Sequence, residues 1–97
     1  MNRKILIVED EAPTALSEAN LLEKHGYTPV IAYTGEQAVG LMNSDPDISL
    51  VLIDVELGAG TDGTETAEQI LAQHTVPIVF VSNHTEKEYI DKIKRIT

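Results

Sequence analysis

Four short apolar runs, separated by stretches of helix length, constrain this chain more than any other feature of its sequence. Residues 5–8 (Ile-Leu-Ile-Val) stop at Glu9, residues 50–53 (Leu-Val-Leu-Ile) at Asp54, and residues 78–81 (Ile-Val-Phe-Val) at Ser82. The remaining run, residues 30–33, follows Pro29. Unbroken runs of Leu and β-branched residues suit strands buried on both faces. The stretches between them carry helical signals. Pro13 suits a first turn, Ala15, Ala19 and Leu22 recur at helical spacing, and Gly26 supplies the stop. Thr34 and Gln37 have capping-box spacing ahead of Ala38, Leu41 and Met42. A glycine-rich loop over residues 58–63 leads to Asp62 and Glu65 at cap spacing, then Ala67, Ile70 and Leu71. Thr85 and Glu88 cap a last helix with Tyr89, Ile93 and Ile96 on one stripe.

The predicted order is therefore βαβαβαβα, an α/β chain with a doubly wound parallel sheet and right-handed crossovers. All strands then point one way, and ligands bind outside their shared carboxyl edge. With the flavodoxin-like order 2-1-3-4, the first, third and fourth strands are consecutive, roughly 4.8 Å apart. Glu9, Asp10 and Asp54 then crowd together beside the Ser82 hydroxyl. Clustered carboxylates either rise in pKa or bind a cation. Residues 25–85 hold eight acids and no Lys or Arg, so the chain offers no obvious internal cation there. Oxygen donors with no thiolate suit a hard divalent ion, Mg²⁺ above all, with Mn²⁺ as a substitute. A carboxylate, a hydroxyl and such an ion are the parts needed to receive a phosphoryl group.

Each acid also has an ordinary explanation. Asp54 alone is a common turn residue. Residues 9–11 (Glu-Asp-Glu) favour a following helix through its dipole, and Ser82 could cap a helix. Their coincidence at three neighbouring strand ends favours a site. Residues 58–63 form a G-x-G-x-x-G, but the turn is displaced from the strand, and no acid stands about 20 residues on for a ribose. Asp54, Glu56 and Asp62 would also repel a pyrophosphate, so the loop reads as a turn. His25, His74 and His84 match no zinc spacing. Lys87, Lys92, Lys94 and Arg95 read as the solvated face of the last helix.

A net charge of −9 excludes a broad basic face for nucleic acid or anionic membrane. Cys is absent, which removes disulfides and thiolate chemistry. No run approaches the ~20 apolar residues of a membrane span, and residues 5–8 are too short for a signal peptide's core of roughly 7–15. A cytoplasmic protein is expected.

Taken together, residues 4–11, 50–54, 62–67 and 77–82 resemble the receiver domain of bacterial and archaeal two-component response regulators along the whole chain. The resemblance implies that Asp54 accepts a phosphoryl group from a phosphohistidine on a sensor histidine kinase or phosphotransfer domain. It implies Mg²⁺ bound directly by Asp10, mainly through water by Glu9, and by the backbone carbonyl of Glu56, with Asp54 completing the set. Ser82, with Asn83 after it, takes the switch position that binds a phosphoryl oxygen. Glu56 and His84 occupy the positions that tune the phosphate's lifetime. Asn83 stands where the family has a small residue, which narrows access to Asp54. The family continues into a fifth strand bearing a lysine, then a fifth helix. None of the 97 residues matches these, and Lys87, Lys92 and Lys94 are poor substitutes.

The expectation follows that residues 1–97 form one receiver domain cut before its fifth strand, a fragment or a chain that pairs its Ile78–Val81 edge with another. The expected function is a self-phosphorylating switch rather than a conventional enzyme. The alternatives are a receiver-like interaction module that does not phosphorylate and, further off, a flavin or nucleotide binder.

Overall fold

The computed structural model describes residues 3–54, 63–81 and 86–96. Its elements are β1 (Lys4–Val8), α1 (Ala12–Lys24), β2 (Thr28–Ala32), α2 (Gly35–Ser44), β3 (Ile48–Asp54), α3 (Gly63–Gln73), β4 (Ile78–Val81) and α4 (Glu86–Ile96). The four strands are parallel in the order β2-β1-β3-β4, as expected from the sequence. From β1 to β2 the chain moves one way across the sheet, and from β2 onward it moves the other. Right-handed crossovers therefore put α1 on one face and α2 and α3 on the opposite one.

Alternation along the strands builds two cores. Ile5, Ile7, Leu50, Leu52, Val79 and Val81 pack with Ala19 and Leu22 of α1 and with Tyr89, Ile90 and Ile93 of α4. Leu6, Val8, Val51 and Ile53 pack with Ala38 and Met42 of α2 and with Ala67 and Ile70 of α3. The central strands β1 and β3 are thus buried on both sides, which is why their sequences are unbroken apolar runs. The last helix lies on the α1 face. Its buried stripe is Tyr89, Ile90 and Ile93, whereas Ile96, expected on that stripe, is exposed at the helix end. The Tyr89 hydroxyl is raised well above its ordinary pKa, first by burial and then by the nearby Glu18 carboxylate.

Local signals behave as their chemistry requires. The Thr34 hydroxyl accepts the Gln37 amide at 3.1 Å. The Gln37 side chain in turn accepts the Tyr33 amide at 2.8 Å, one residue before the cap. Gly26 has φ 88, the left-handed conformation that ends α1. Strand boundaries differ from the sequence reading, most of all in β2 and β3. Strand β2 starts at Thr28 and contains Pro29, because β2 is an edge strand. The Thr28 amide bonds inward to the Arg3 carbonyl at 2.8 Å, so position 29 faces outward, where no N–H is needed. Strand β3 runs from Ile48 through Asp54, so the acid is the strand's last residue rather than the turn after it. The proposed caps Asp62 and Thr85 lie outside the described residues.

Candidate functional site

The acidic site is built by the register of two neighbouring strands. Val8, the last residue of β1, pairs with Ile53 of β3, so Glu9 and Asp54 emerge side by side at the carboxyl edge. The Glu9 amide still donates to the Ala32 carbonyl at 3.0 Å, which keeps the chain in line with β2 for one residue beyond β1. Asp10 follows at the turn into α1. Carboxylate oxygens of Glu9, Asp10 and Asp54 lie within 4.8 Å of one another. Glu9 is buried, Asp54 half-buried and Asp10 exposed, so the group is open on one side.

The electrostatics follow from that packing. The Glu9 carboxyl is pushed up from 4.5 to about 8, first by burial and then by the hydrogen bond and charge of Asp54, with Asp10 adding to it. The Glu11 amide pulls the other way, donating to Glu9 Oε1 at 3.2 Å. Sequence reasoning missed this donor, since a backbone N–H leaves no side-chain signature. No cationic side chain is placed to neutralise the group from its own strands. Arg3 and Lys4 sit at the opposite end of β1, where Lys4 Nζ donates to Asp45 Oδ2 at 2.8 Å. Lys87, Lys92, Lys94 and Arg95 are exposed on α4, as expected. Hard oxygen donors, a carboxyl pushed toward its neutral form and one open side fit a small divalent cation.

The structure thus brings together three of the residues singled out from the sequence. Glu56, Ser82, Asn83 and His84 lie outside the described residues. The histidines that are described have structural places. His25 Nδ1 lies 3.1 Å from the Leu21 carbonyl at the end of α1, and His74 Nε2 lies 2.9 Å from Asn43 Oδ1. No described helix is long and apolar enough to cross a membrane.

A four-stranded parallel sheet in this order, with acids gathered at its carboxyl edge, defines a flavodoxin-like receiver fold. The family model for the response regulator receiver domain matches residues 5–96, and the chain belongs to that family, which places it in two-component signalling. Solved structures agree. The N-terminal domain of a three-domain response regulator/sensory box/GGDEF protein from Carboxydothermus hydrogenoformans is 36% identical, with TM-score 0.88. The match covers 95% of this chain and 91% of that one. The receiver domain of a modulated diguanylate cyclase from Desulfovibrio desulfuricans is 30% identical, with TM-score 0.76, over 97% of this chain and 75% of that one. A fusion bearing the yeast Spc42 trimeric coiled coil is 44% identical, with TM-score 0.82. This chain matches it over its full length but spans only 62% of that chain. Receiver domains generally bind Mg²⁺ through acidic residues and interact with histidine kinases or phosphotransfer proteins.

Proposed function

We propose that the chain is a phosphoacceptor switch in which Asp54 takes a phosphoryl group from a phosphohistidine on a partner kinase or phosphotransfer protein. The observation that carries this reading is the convergence of Glu9, Asp10 and Asp54 to within 4.8 Å at the ends of β1 and β3. In the step, an Asp54 oxygen attacks phosphorus and the phosphorus–nitrogen bond breaks. The electron pair stays on the imidazole nitrogen, which takes up a proton, and an acyl phosphate is left on Asp54. Glu9, Asp10 and Asp54 would hold Mg²⁺, which supplies charge neutralisation for the transferred oxygens. Each molecule takes up one phosphoryl group, so the chain acts as a switch and not as a turnover enzyme. The Glu56 carbonyl, the Ser82 hydroxyl with Asn83, and His84 enter this reading by family resemblance.

The test is incubation with a small-molecule phosphodonor and Mg²⁺, followed by mass spectrometry. The expected result is a mass gain of one phosphoryl group, mapped to Asp54 and abolished by Asp54→Asn or by chelation of the metal. No gain under any of these conditions would replace the reading with that of an interaction module independent of phosphorylation.

A further inference from the structure

Strands β1 and β3 do not match residue for residue, and the mismatch is taken up at one place. Lys4 pairs with Ile48 but Ile5 pairs with Leu50, which leaves Ser49 as an extra residue on β3. Bulges are uncommon between parallel strands, and a shift of one residue turns every later side chain to the other face. The packing shows that change of phase. Ile48 lies in the α2/α3 core with Val51 and Ile53, at odd spacings that an unbroken strand does not place on one face. Leu50 and Leu52 lie in the core on the α1 side.

The entry to β3 is pinned, so the extra residue has a consequence at the far end of the strand. Lys4 Nζ donates to Asp45 Oδ2 at 2.8 Å, and Asp45 Oδ1 accepts the Asp47 amide at 3.0 Å. These bonds hold the turn before β3 against Lys4. Glu9 stands five residues after Lys4, whereas Asp54 stands six after Ile48. A regular ladder from the same anchor would set Asp54 level with Asp10 and turn it to the α2/α3 face. With one residue absorbed at Ser49, Asp54 falls level with Glu9 instead. Both acids then share the α1 face by alternation, Asp54 after Leu50 and Leu52, Glu9 after Ile5 and Ile7.

Hydrophobicity does not choose between these registers, because residues 50–53 are all apolar and a slip by one exchanges one buried pair for the other. The choice falls to Ser49. Its hydroxyl donates to the Lys4 carbonyl at 3.2 Å, which ties the extra residue back to β1. In the slipped register that hydroxyl would lie opposite the fully buried Ile5, where desolvation penalises it. We propose that Ser49 is a positioning residue for Asp54: its bulge sets, from the opposite end of the sheet, the register that brings Asp54 beside Glu9 and Asp10. The bearing on phosphoryl transfer rests on the reading of Asp54 as the phosphoacceptor; the bearing on the carboxylate cluster does not.

Three variants of the 97-residue chain test this: Ser49→Val, Ser49→Thr and deletion of residue 49. Register is read from backbone nuclear Overhauser contacts between β1 and β3, and Mg²⁺ affinity from calorimetry. Val lacks the hydroxyl and packs well in a regular pleat, so it favours the slipped register. Ser49→Val is expected to replace the Val8–Ile53 contact by Val8–Leu52 and to weaken Mg²⁺ binding by about 10–100-fold, with the circular dichroism spectrum unchanged. Ser49→Thr keeps the hydroxyl and should keep both contact and affinity. Deletion removes the mismatch itself, so the Val8–Ile53 contact and the wild-type affinity are expected there too. A loss caused by substitution and cured by deletion is not the behaviour of a strand that is merely destabilised. Ser49→Val with wild-type register and affinity, or a folded deletion variant without the Val8–Ile53 contact, would overturn the proposal. Should Ser49→Val fail to fold, the deletion variant decides alone. Phosphoryl uptake is measured separately: a wild-type chain that binds Mg²⁺ and takes no phosphoryl group overturns the phosphoacceptor reading, while the placement of Asp54 still stands or falls on the register.

Discussion

Replacing Glu9 by Gln is expected to stabilise the metal-free chain by an amount that grows with pH. The Glu9 carboxyl is raised from 4.5 to about 8 by burial and by Asp54 and Asp10. Between those values the folded chain binds more protons at this site than the unfolded chain does. Its contribution to stability is therefore fully present below about pH 4.5 and is lost as pH rises through about 8. At about 1.4 kcal/mol per pH unit, the whole window sets a ceiling of about 5 kcal/mol. The carboxyl shares its charge with two neighbours on an open site, so about 2 kcal/mol is expected between pH 5 and 8. For a domain of this size, 1 kcal/mol moves Tm by about 4–8 °C, so the wild-type Tm should fall by about 10 °C across that range. Thermal melts in chelator, followed by circular dichroism, read this directly. The informative quantity is the difference between wild type and Glu9→Gln, which isolates this carboxyl and should widen steadily with pH. Added Mg²⁺ should narrow it. If the two Tm-against-pH curves run parallel in chelator, Glu9 does not carry the strain assigned to it.

Three further substitutions test how the scaffold holds the site. Ile53→Ala removes a fully buried side chain next to Asp54, and should cost about 2–5 kcal/mol by denaturant unfolding while lowering phosphoryl uptake at temperatures where the wild type is folded. Thr34→Ala removes the hydroxyl that caps α2 and should cost about 1 kcal/mol by denaturant unfolding. Gly26→Ala puts a β-carbon on a residue at φ 88 with nothing within 4 Å of it. Its cost of about 1 kcal/mol should be purely conformational, so Gly26→Asn should recover part of it.

The sheet order and the acidic cluster were legible because both follow from short-range rules. Four apolar runs spaced by helices leave few parallel topologies, and a strand's last residue must emerge at the sheet edge. The parts that were not legible depend on long-range packing. Pro29 argued for a strand starting at residue 30, yet β2 takes it in because only its inner side is paired. The period of α4 placed Ile96 beside Tyr89 and Ile93, but Ile96 is exposed and Ile90 is buried instead. The face on which α4 sits was not readable either, since the helix is amphipathic whichever side it covers. Nor could any spacing rule have found the Glu11 amide, which softens the charge on Glu9.

The way β1 and β3 are clamped makes the acidic site respond to its solution. On mobile loops, three like charges would relieve their repulsion by drifting apart. Glu9 and Asp54 instead extend from strands paired in unbroken register from Ile5 and Leu50 to Val8 and Ile53, the last two both fully buried, so separating the carboxylates means breaking a ladder set in two cores. Among the described residues, Lys4 is engaged with Asp45 at the far end of the sheet and the α4 cations are exposed to solvent. A proton on Glu9 or a cation among the three carboxylates relieves the repulsion. Those two compete. Divalent binding should displace the Glu9 proton, so Mg²⁺ affinity should climb between pH 6 and 8 and level off above about 8, as titration calorimetry in buffers of different protonation enthalpy would show. An affinity independent of pH across that range would mean that Glu9 is already ionised in the free chain, and that burial does not govern its charge.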